Sequence, residues 1–211
     1  MPDQKQENPA FSLPEGRLIN HSLFTRDVFR DGTPAYKAEI AFEPSDLDGL
    51  AEKLATFARD KWGAGAYDDY YDGKIGDPIK NGDAMAKKRE TDGKPGDSYK
   101  GKDVLRLHTQ FNKHGENAAG GARVYAPDLT EIDITMSDQV YAGCYGCSAV
   151  QIGAYQDNEG RNALTLYLCA FQKTRDGDKL FSAADHSALF SPVAGGGKPE
   201  AGGRRRRPRG E

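Results

Sequence analysis

The sequence predicts a mainly β protein with one helix, long loops and disordered termini. Three observations carry that prediction. Residues 141–173 hold two runs of alternating apolar and polar side chains on either side of a turn-forming cluster. Two earlier stretches, 17–42 and 103–111, alternate in the same way, and one segment alone, opening near Ser45, repeats apolar residues at helical spacing. The 25 glycines and 11 prolines, set against 37% hydrophobic residues, leave a modest core inside much irregular chain.

Residues 1–15 are polar and read as a flexible N-terminal arm. From Arg17 the chain is strand-like through Leu18, Ile19, Leu23, Phe24, Val28 and Phe29, and Asp31-Gly32-Thr33-Pro34 turns it back. In the returning strand Tyr36, Ala38, Ile40 and Phe42 form a core row, with Lys37 and Glu39 on the opposite face.

Ser45 is the expected N-cap of the helix. Asp46 and Asp48 complement its dipole, Gly63 ends it, and Leu47, Leu50, Leu54, Phe57 and Ala58 share one face, with Trp62 near the end. That face plugs the sheet. The polar face mixes Glu52, Lys53, Arg59, Asp60 and Lys61, which argues against a membrane-surface helix.

Residues 64–102 have little apolar content and read as an irregular loop, either functional or disordered. Tyr67–Gly73 has the outline of a calcium loop, but Tyr70 stands at a ligand position and no closing glutamate follows. The tyrosine-rich acidic segment is either a cover over a binding groove or a solvated loop. In Asp103–Phe111 the residues Leu105, Leu107, Thr109 and Phe111 face the core, and Arg106, His108 and Gln110 form a basic, hydrogen-bonding row. A loop with Lys113 and His114 leads to a short strand bearing Arg123.

In the last hairpin Val150, Ile152 and Ala154 share a face, as do Leu164, Leu166, Leu168 and Ala170. For the two rows to meet, Ile152 must oppose Leu166 and Val150 must oppose Leu168, across a loop of three or five residues around Gly160. The same register sets Gln151 against Tyr167 and Cys147 against Phe171, with Tyr155 and Lys173 on that outer face. Those aromatics either pack under another element or form a platform on which unpaired bases stack; residue types alone make packing the commoner outcome.

Charge narrows the field of functions. The net charge of −3 divides into +4 on residues 198–211, with six basic side chains against two acidic, and −7 on the rest. An acidic body is no bulk nucleic-acid binder, so any such site must be a local patch. No run is long and apolar enough for a membrane span and no leader pattern opens the chain, so a soluble, intracellular protein without a membrane partner is expected. Three cysteines do not make a secreted disulfide framework. Cys144 and Cys147, three apart and entering a strand, point to opposite faces, which does not suit a redox pair, and for zinc there is no second C-x-x-C or paired histidines, only Cys169 and scattered His21, His108, His114 and His186. The chain has no G-x-x-x-x-G-K-[ST], G-x-S-x-G or H-E-x-x-H motif, so catalytic residues, metal and cofactor are expected to be none.

The order and spacing of several short stretches add a further reading. They are Gly16-Arg17, Leu23-Phe24, Gly32-Thr33-Pro34-Ala35-Tyr36, Pro78-Ile79-Lys80-Asn81-Gly82-Asp83, Tyr99-Lys100-Gly101, Tyr141-Ala142-Gly143-Cys144-Tyr145-Gly146, and Phe171-Gln172-Lys173 with Arg175-Asp176-Gly177. Together, from about Gly16 to Phe190, they resemble the OB-fold single-stranded-DNA-binding proteins of tailed bacteriophages. The resemblance implies a five-stranded OB-fold β-barrel over residues 16–190; composition makes 191–211 a disordered Gly/Arg-rich basic tail, where many phage proteins of this kind carry an acidic one. It implies a non-enzymatic protein that coats single-stranded DNA, with little sequence preference, in phage replication, recombination or repair, in the cytoplasm of the infected host cell. Phage or host replication and recombination proteins are the implied further partners, and a homodimer is left open. The implied DNA contacts are Lys37, Arg106, His108, Lys113, Arg123, Gln151, Tyr155, Tyr167, Phe171 and Lys173, and the positive charge of the tail adds Arg204, Arg205, Arg206 and Arg207. The alternative is a phage structural or assembly protein whose basic tail holds nucleic acid or a partner.

Overall fold

Alternation along the chain is realised as eight strands and three helices among the described residues, which in this computed structural model are 8–28, 34–109 and 122–180. The chain divides into units 1–181 and 182–211, and all described residues lie in the first. In order they form β1 (Phe11–Ser12), β2 (Gly16–Val28), β3 (Pro34–Phe42), α1 (Asp48–Trp62), α2 (Gly65–Tyr71), β4 (Ile79–Asn81), α3 (Gly82–Thr91), β5 (Asp103–His108), β6 (Arg123–Tyr125), β7 (Tyr145–Gln156) and β8 (Asn162–Arg175). No helix among them is long and apolar enough to cross a membrane.

The pairings close on themselves. β2 pairs with β3, β3 with β5 and β7 with β8, all antiparallel; β5 lies parallel to β8, and β7 returns antiparallel to β2. Five strands thus form a ring of pairings, and β1, β4 and β6 extend β7, β5 and β8. Where β7 meets β2, Gly16 lies opposite Gly146. A side chain at either position would collide with the core: a Cβ on Gly16 would come within 2.6 Å of the Phe42 ring, and one on Gly146 within 2.4 Å of the Phe171 ring. Glycine is what lets the two backbones approach over those rings.

Inside the ring the expected rows meet. Leu18, Ile40, Leu105, Leu107, Leu166 and Leu168 are buried together with Leu50 and Leu54 of α1. Each such side chain contributes about 1.5–3 kcal/mol through loss of water contact. α1 is therefore the plug that its apolar face implied, and Gly63 ends it at φ +100° with its N–H donated to the Arg59 carbonyl. Its start differs from expectation. Pro44 opens a 3-10 turn over 44–47, Ser45 lies inside that turn, and no side chain caps α1.

The β7–β8 hairpin turns through the five residues between Gln156 and Asn162. Asp157 fixes the turn by accepting the backbone N–H groups of Glu159 and Arg161 at 3.0 and 2.9 Å, and Gly160 supplies a positive φ of 78°. Ile152 opposes Leu166, Val150 opposes Leu168 and Gln151 opposes Tyr167, as the apolar rows required. Beyond that point the register shifts. Ala149 pairs with Ala170 while Val150 pairs with Leu168, so Cys169 is an extra residue on β8 and the strand carries a β-bulge. The parity reverses from there to Lys173, where a second shift at Thr174 follows. Phe171 faces Ser148, not Cys147, and is fully buried in the core, so its expected place on the outer face is corrected.

Residues 64–102 are also corrected, from an irregular loop to two helices and a strand. Asn81 caps α3 by accepting the Ala84 N–H at 2.9 Å. Ala86 of α3 and Tyr99 cover Ile19, Ala41 and Val104, a second apolar cluster on the outer side of β2, β3 and β5. In the first part of the segment Tyr67 and Tyr71 of α2 donate to the Glu52 carboxylate of α1, at 2.8 and 3.1 Å, which ties α2 to α1.

Candidate nucleic-acid interface

The register of the ring builds one polar row across its outer face. Ser22 is opposite Lys37, Lys37 opposite His108, His108 opposite Tyr167, and Tyr167 opposite Gln151. Five strands each contribute one side chain, although the residues span most of the chain. Equal parity also sets Glu39 and Arg106 beside Lys37 and His108, opposite one another. With Asn20, His21, Asp27 and Lys94, the β2, β3 and β5 part of this face lines a groove of about 620 Å³.

Tyr167 is held by its neighbours. Its ring meets that of His108 edge-on, with centroids 5.3 Å apart at 86°. On the other side it lies over Gly153, where a Cβ would come within 2.3 Å of the ring. Tyr155, two residues further along the same face, is 49% exposed at the hairpin end. The result is a supported aromatic platform beside an open one.

His108 Nδ1 lies 3.3 Å from the Thr109 carbonyl, which assigns the proton to Nδ1 and leaves Nε2 to accept from the Thr165 hydroxyl, also at 3.3 Å. Burial holds this imidazole below the usual histidine range, and the Lys37 charge acts in the same sense. The sequence placed His108 in a basic row. Its contribution to the row is a ring and hydrogen bonds.

The cations of the row are themselves anchored. Lys37 pairs with Asp27 at 3.0 Å, and Arg106 pairs through Nε with Glu39 at 2.8 Å. Glu39 also accepts the Tyr99 hydroxyl at 2.7 Å and is largely covered, so it orients Arg106 while the Arg106 side chain stays 60% exposed. Each pair has one member open to solvent, Asp27 and Arg106, and is partly screened there. Gln151 is tied down more firmly, since its amide donates to the Asn8 carbonyl of the N-terminal arm at 3.0 Å.

The structure thus gathers Lys37, Arg106, His108, Gln151, Tyr155 and Tyr167 on one face. Arg123 and Lys173 lie past the bulge. Arg123 is exposed opposite Ala170, whereas Lys173, only 12% exposed, pairs with Asp176 at 2.7 Å and donates to the Gln139 carbonyl at 2.8 Å. Phe171 is inside the core. Lys113, Gln110, Phe111 and Arg204–Arg207 lie outside the described residues. Sequence reasoning missed Asn20, Ser22 and Lys94, which come to the groove through pairings or insertions distant in sequence. It also passed over Gly153, whose signal was a glycine inside an otherwise alternating strand next to an aromatic partner.

The three cysteines are free thiols, all raised in pKa chiefly by burial. Cys144 is fully buried in the core and Cys147 is half-buried on the other face. Neither has the lowered pKa of a reactive thiolate.

Comparison with known proteins adds a family. The model described as Enterobacter phage Enc34, ssDNA-binding protein, matches residues 13–194. Among solved structures the chain is similar to the single-stranded DNA-binding protein from bacteriophage Enc34 in complex with ssDNA, at 16% identity over 81% of this chain and 88% of that one, with a TM-score of 0.58. It is similar also to gp2.5, a single-stranded DNA binding protein encoded by bacteriophage T7, at 11% identity over 90% and 98% of the two chains, with a TM-score of 0.56. No curated protein sequence matches it. At these identities the structural likeness carries the fold.

Proposed function

The chain belongs to the family of the Enterobacter phage Enc34 ssDNA-binding protein, and on that premise we propose that it coats single-stranded phage DNA through the outer row Lys37–His108–Tyr167–Gln151. The observation that carries this reading is the row itself, in which cation, imidazole, phenol and amide succeed one another without interruption across adjacent strands. A single strand needs both parts of it. Bases stack on Tyr167 and on the exposed ring of Tyr155, at about 1–3 kcal/mol per base, while Lys37 and Arg106 neutralise phosphates. Stacking reads a π-face common to all bases, so the binding is tolerant of sequence.

The ring fits a five-stranded OB-fold barrel. Counted along the chain, its members are β2, β3, β5, β7 and β8, and OB folds bind oligonucleotides on the face of their second and third strands and on the loops joining the first to the second and the fourth to the fifth. Here those strands are β3 and β5, the bearers of Lys37, Arg106 and His108, and the fourth-to-fifth loop is 157–161. The domain spans 16–190 in this reading. Asn8, within the arm at 1–15, reaches the β7 end of the row, and Arg204–Arg207 of the 191–211 tail add phosphate contacts. The protein binds and protects the strand without catalysing a reaction, in the host cytoplasm during phage replication, recombination or repair.

Fluorescence titration with oligo-dT and mixed-sequence oligonucleotides tests the proposal. Submicromolar binding with little base preference, weakening steadily with salt, is expected. Absence of binding at low salt would overturn it.

A further inference from the structure

Resting on that reading, the surface of α3 carries a second, different stretch of the track. α3 roofs one half of the outer face, over Ile19, Ala41 and Val104, and leaves the other half, with the polar row, open. Along the boundary one flank of α3 forms a groove of about 420 Å³ whose cationic lining is Lys80, Lys88, Arg89, Lys94 and Arg106, with Asp92 the one carboxylate among the described residues. Lys94 and Arg106 also line the groove at the row, so the two grooves adjoin at these side chains.

How the insert uses its other lysines sharpens the contrast. Lys74 pairs with Asp69 and Asp72, Lys100 with Glu90 and Asp97, and Lys102 with Glu43. Lys88 and Lys94 make no ion pair among the described residues, although acidic side chains are abundant in the same segment. Arg89 is held in place by its bond to the Pro95 carbonyl at 2.9 Å and by the Tyr99 ring 4.9 Å beneath its guanidinium. Unlike the row, this groove has no aromatic lining among the described residues; Met85 and Ala84 are its apolar ones. Positive charge without a stacking surface recognises a sugar–phosphate backbone and is indifferent to bases.

We propose that the α3 flank is an extension of the binding site, which takes the phosphates of the strand after it passes Arg106 and leaves the aromatic row. The site then has two chemically distinct segments. One is anchored by stacking, and the other is purely electrostatic and engaged only by longer strands.

The test uses the full chain with Lys88→Gln/Lys94→Gln, and Lys87→Gln, exposed on α3 but outside the groove, as control. Binding to dT6 and dT30 is measured across a salt series, with thermal melts confirming that each variant folds. Losing two phosphate contacts should reduce the log-affinity against log-salt slope on dT30 by about 1.4, leave dT6 almost unaffected, and leave base preference unchanged. The control should match wild type on both. A double variant with the wild-type slope on dT30 would overturn the extension, as would equal losses on dT6 and dT30, which would place these lysines at the stacking segment. Failure of the wild-type protein to bind dT30 at all would instead refute the proposed function.

Discussion

Phe171 and Tyr167 stand four residues apart on one strand, and without the bulge at Cys169 they would share a face. The bulge separates their roles, which makes Phe171→Ala and Tyr167→Ala an informative pair. Phe171 is fully buried beneath Gly146, so its truncation opens a cavity and should cost about 3–5 kcal/mol. For a domain stable by about 5–15 kcal/mol, and with a urea m-value of about 2 kcal/mol/M, the unfolding midpoint should drop by roughly 1.5–2.5 M. Its DNA affinity, measured where the protein remains folded, should hardly change. Tyr167 is half-buried and its ring packs against His108. Its truncation should remove about 1–3 kcal/mol of base stacking, a loss of roughly 5- to 150-fold in Kd, with the smaller effect on the urea midpoint. Urea titrations followed by circular dichroism and anisotropy titrations with oligo-dT read the two quantities separately. If Phe171→Ala kept its midpoint and lost affinity, the bulge and the parity argument built on it would be wrong.

Deleting Cys169 should regularise β8 and leave Leu168 and Phe171 both facing inward, so that variant should unfold cooperatively, whereas deleting Thr165 should abolish folding; circular dichroism melts of the two compare them directly. Gly153→Val should displace the Tyr167 ring and weaken oligo-dT binding more than it lowers the melting temperature, an ordering that paired anisotropy and melting measurements check. His21 and His108 are both held below the ordinary histidine pKa, chiefly by burial. The unfolded chain then takes up protons first, and stability should be level above about pH 7 and decline as pH falls below about 6.5, which urea midpoints between pH 8 and 5 would show; a rise over that range would contradict the burial. Removing residues 204–211, which carry five arginines, should flatten the salt slope by up to roughly 3.5 if every arginine meets a phosphate, and an unchanged slope would show that the tail stays off the DNA.

The parts of the fold that were legible are those set by strict local periodicity. The Ile152–Leu166 register follows from two apolar rows and an odd loop, and α1 from a stripe of leucines closed by Gly63. The bulge left no such mark. Cys169 and Ala170 are both small enough for either face, so counting by twos carried Phe171 to the wrong side. α3 was hidden for another reason. It buries only Gly82 and Ala86, too little for a helical stripe, and its partners Ile19, Ala41 and Val104 lie on strand faces taken to be solvated. A clue was present in Leu18-Ile19 and Val104-Leu105, adjacent apolar pairs that break the alternation because both faces are covered. Half of the candidate site was read from outward parity at Lys37, Arg106, His108, Gln151 and Tyr167. Its assembly into one row depends on pairings between distant strands, which no window of sequence contains.

The glycine pair that joins β2 to β7 has a consequence for biosynthesis. Gly146 lies more than a hundred residues downstream of its partner Gly16, and at about 5–20 residues per second a ribosome needs roughly 7–26 s to travel between them. Once β5 has been made, β2, β3 and β5 can pair, but until β7 and β8 follow the inward row of Leu18, Ile40 and Leu105 has no strand opposite it and the β2 edge has no β7 beside it. The nascent chain is therefore a half-open sheet with an apolar concavity, the kind of species that chaperones bind and that self-associates at high expression. Helices α1 and α3 emerge within the same interval, before β7, and cover the sheet from both sides while it waits. The helical insert between β3 and β5 is thus in the chain before β7 closes the ring.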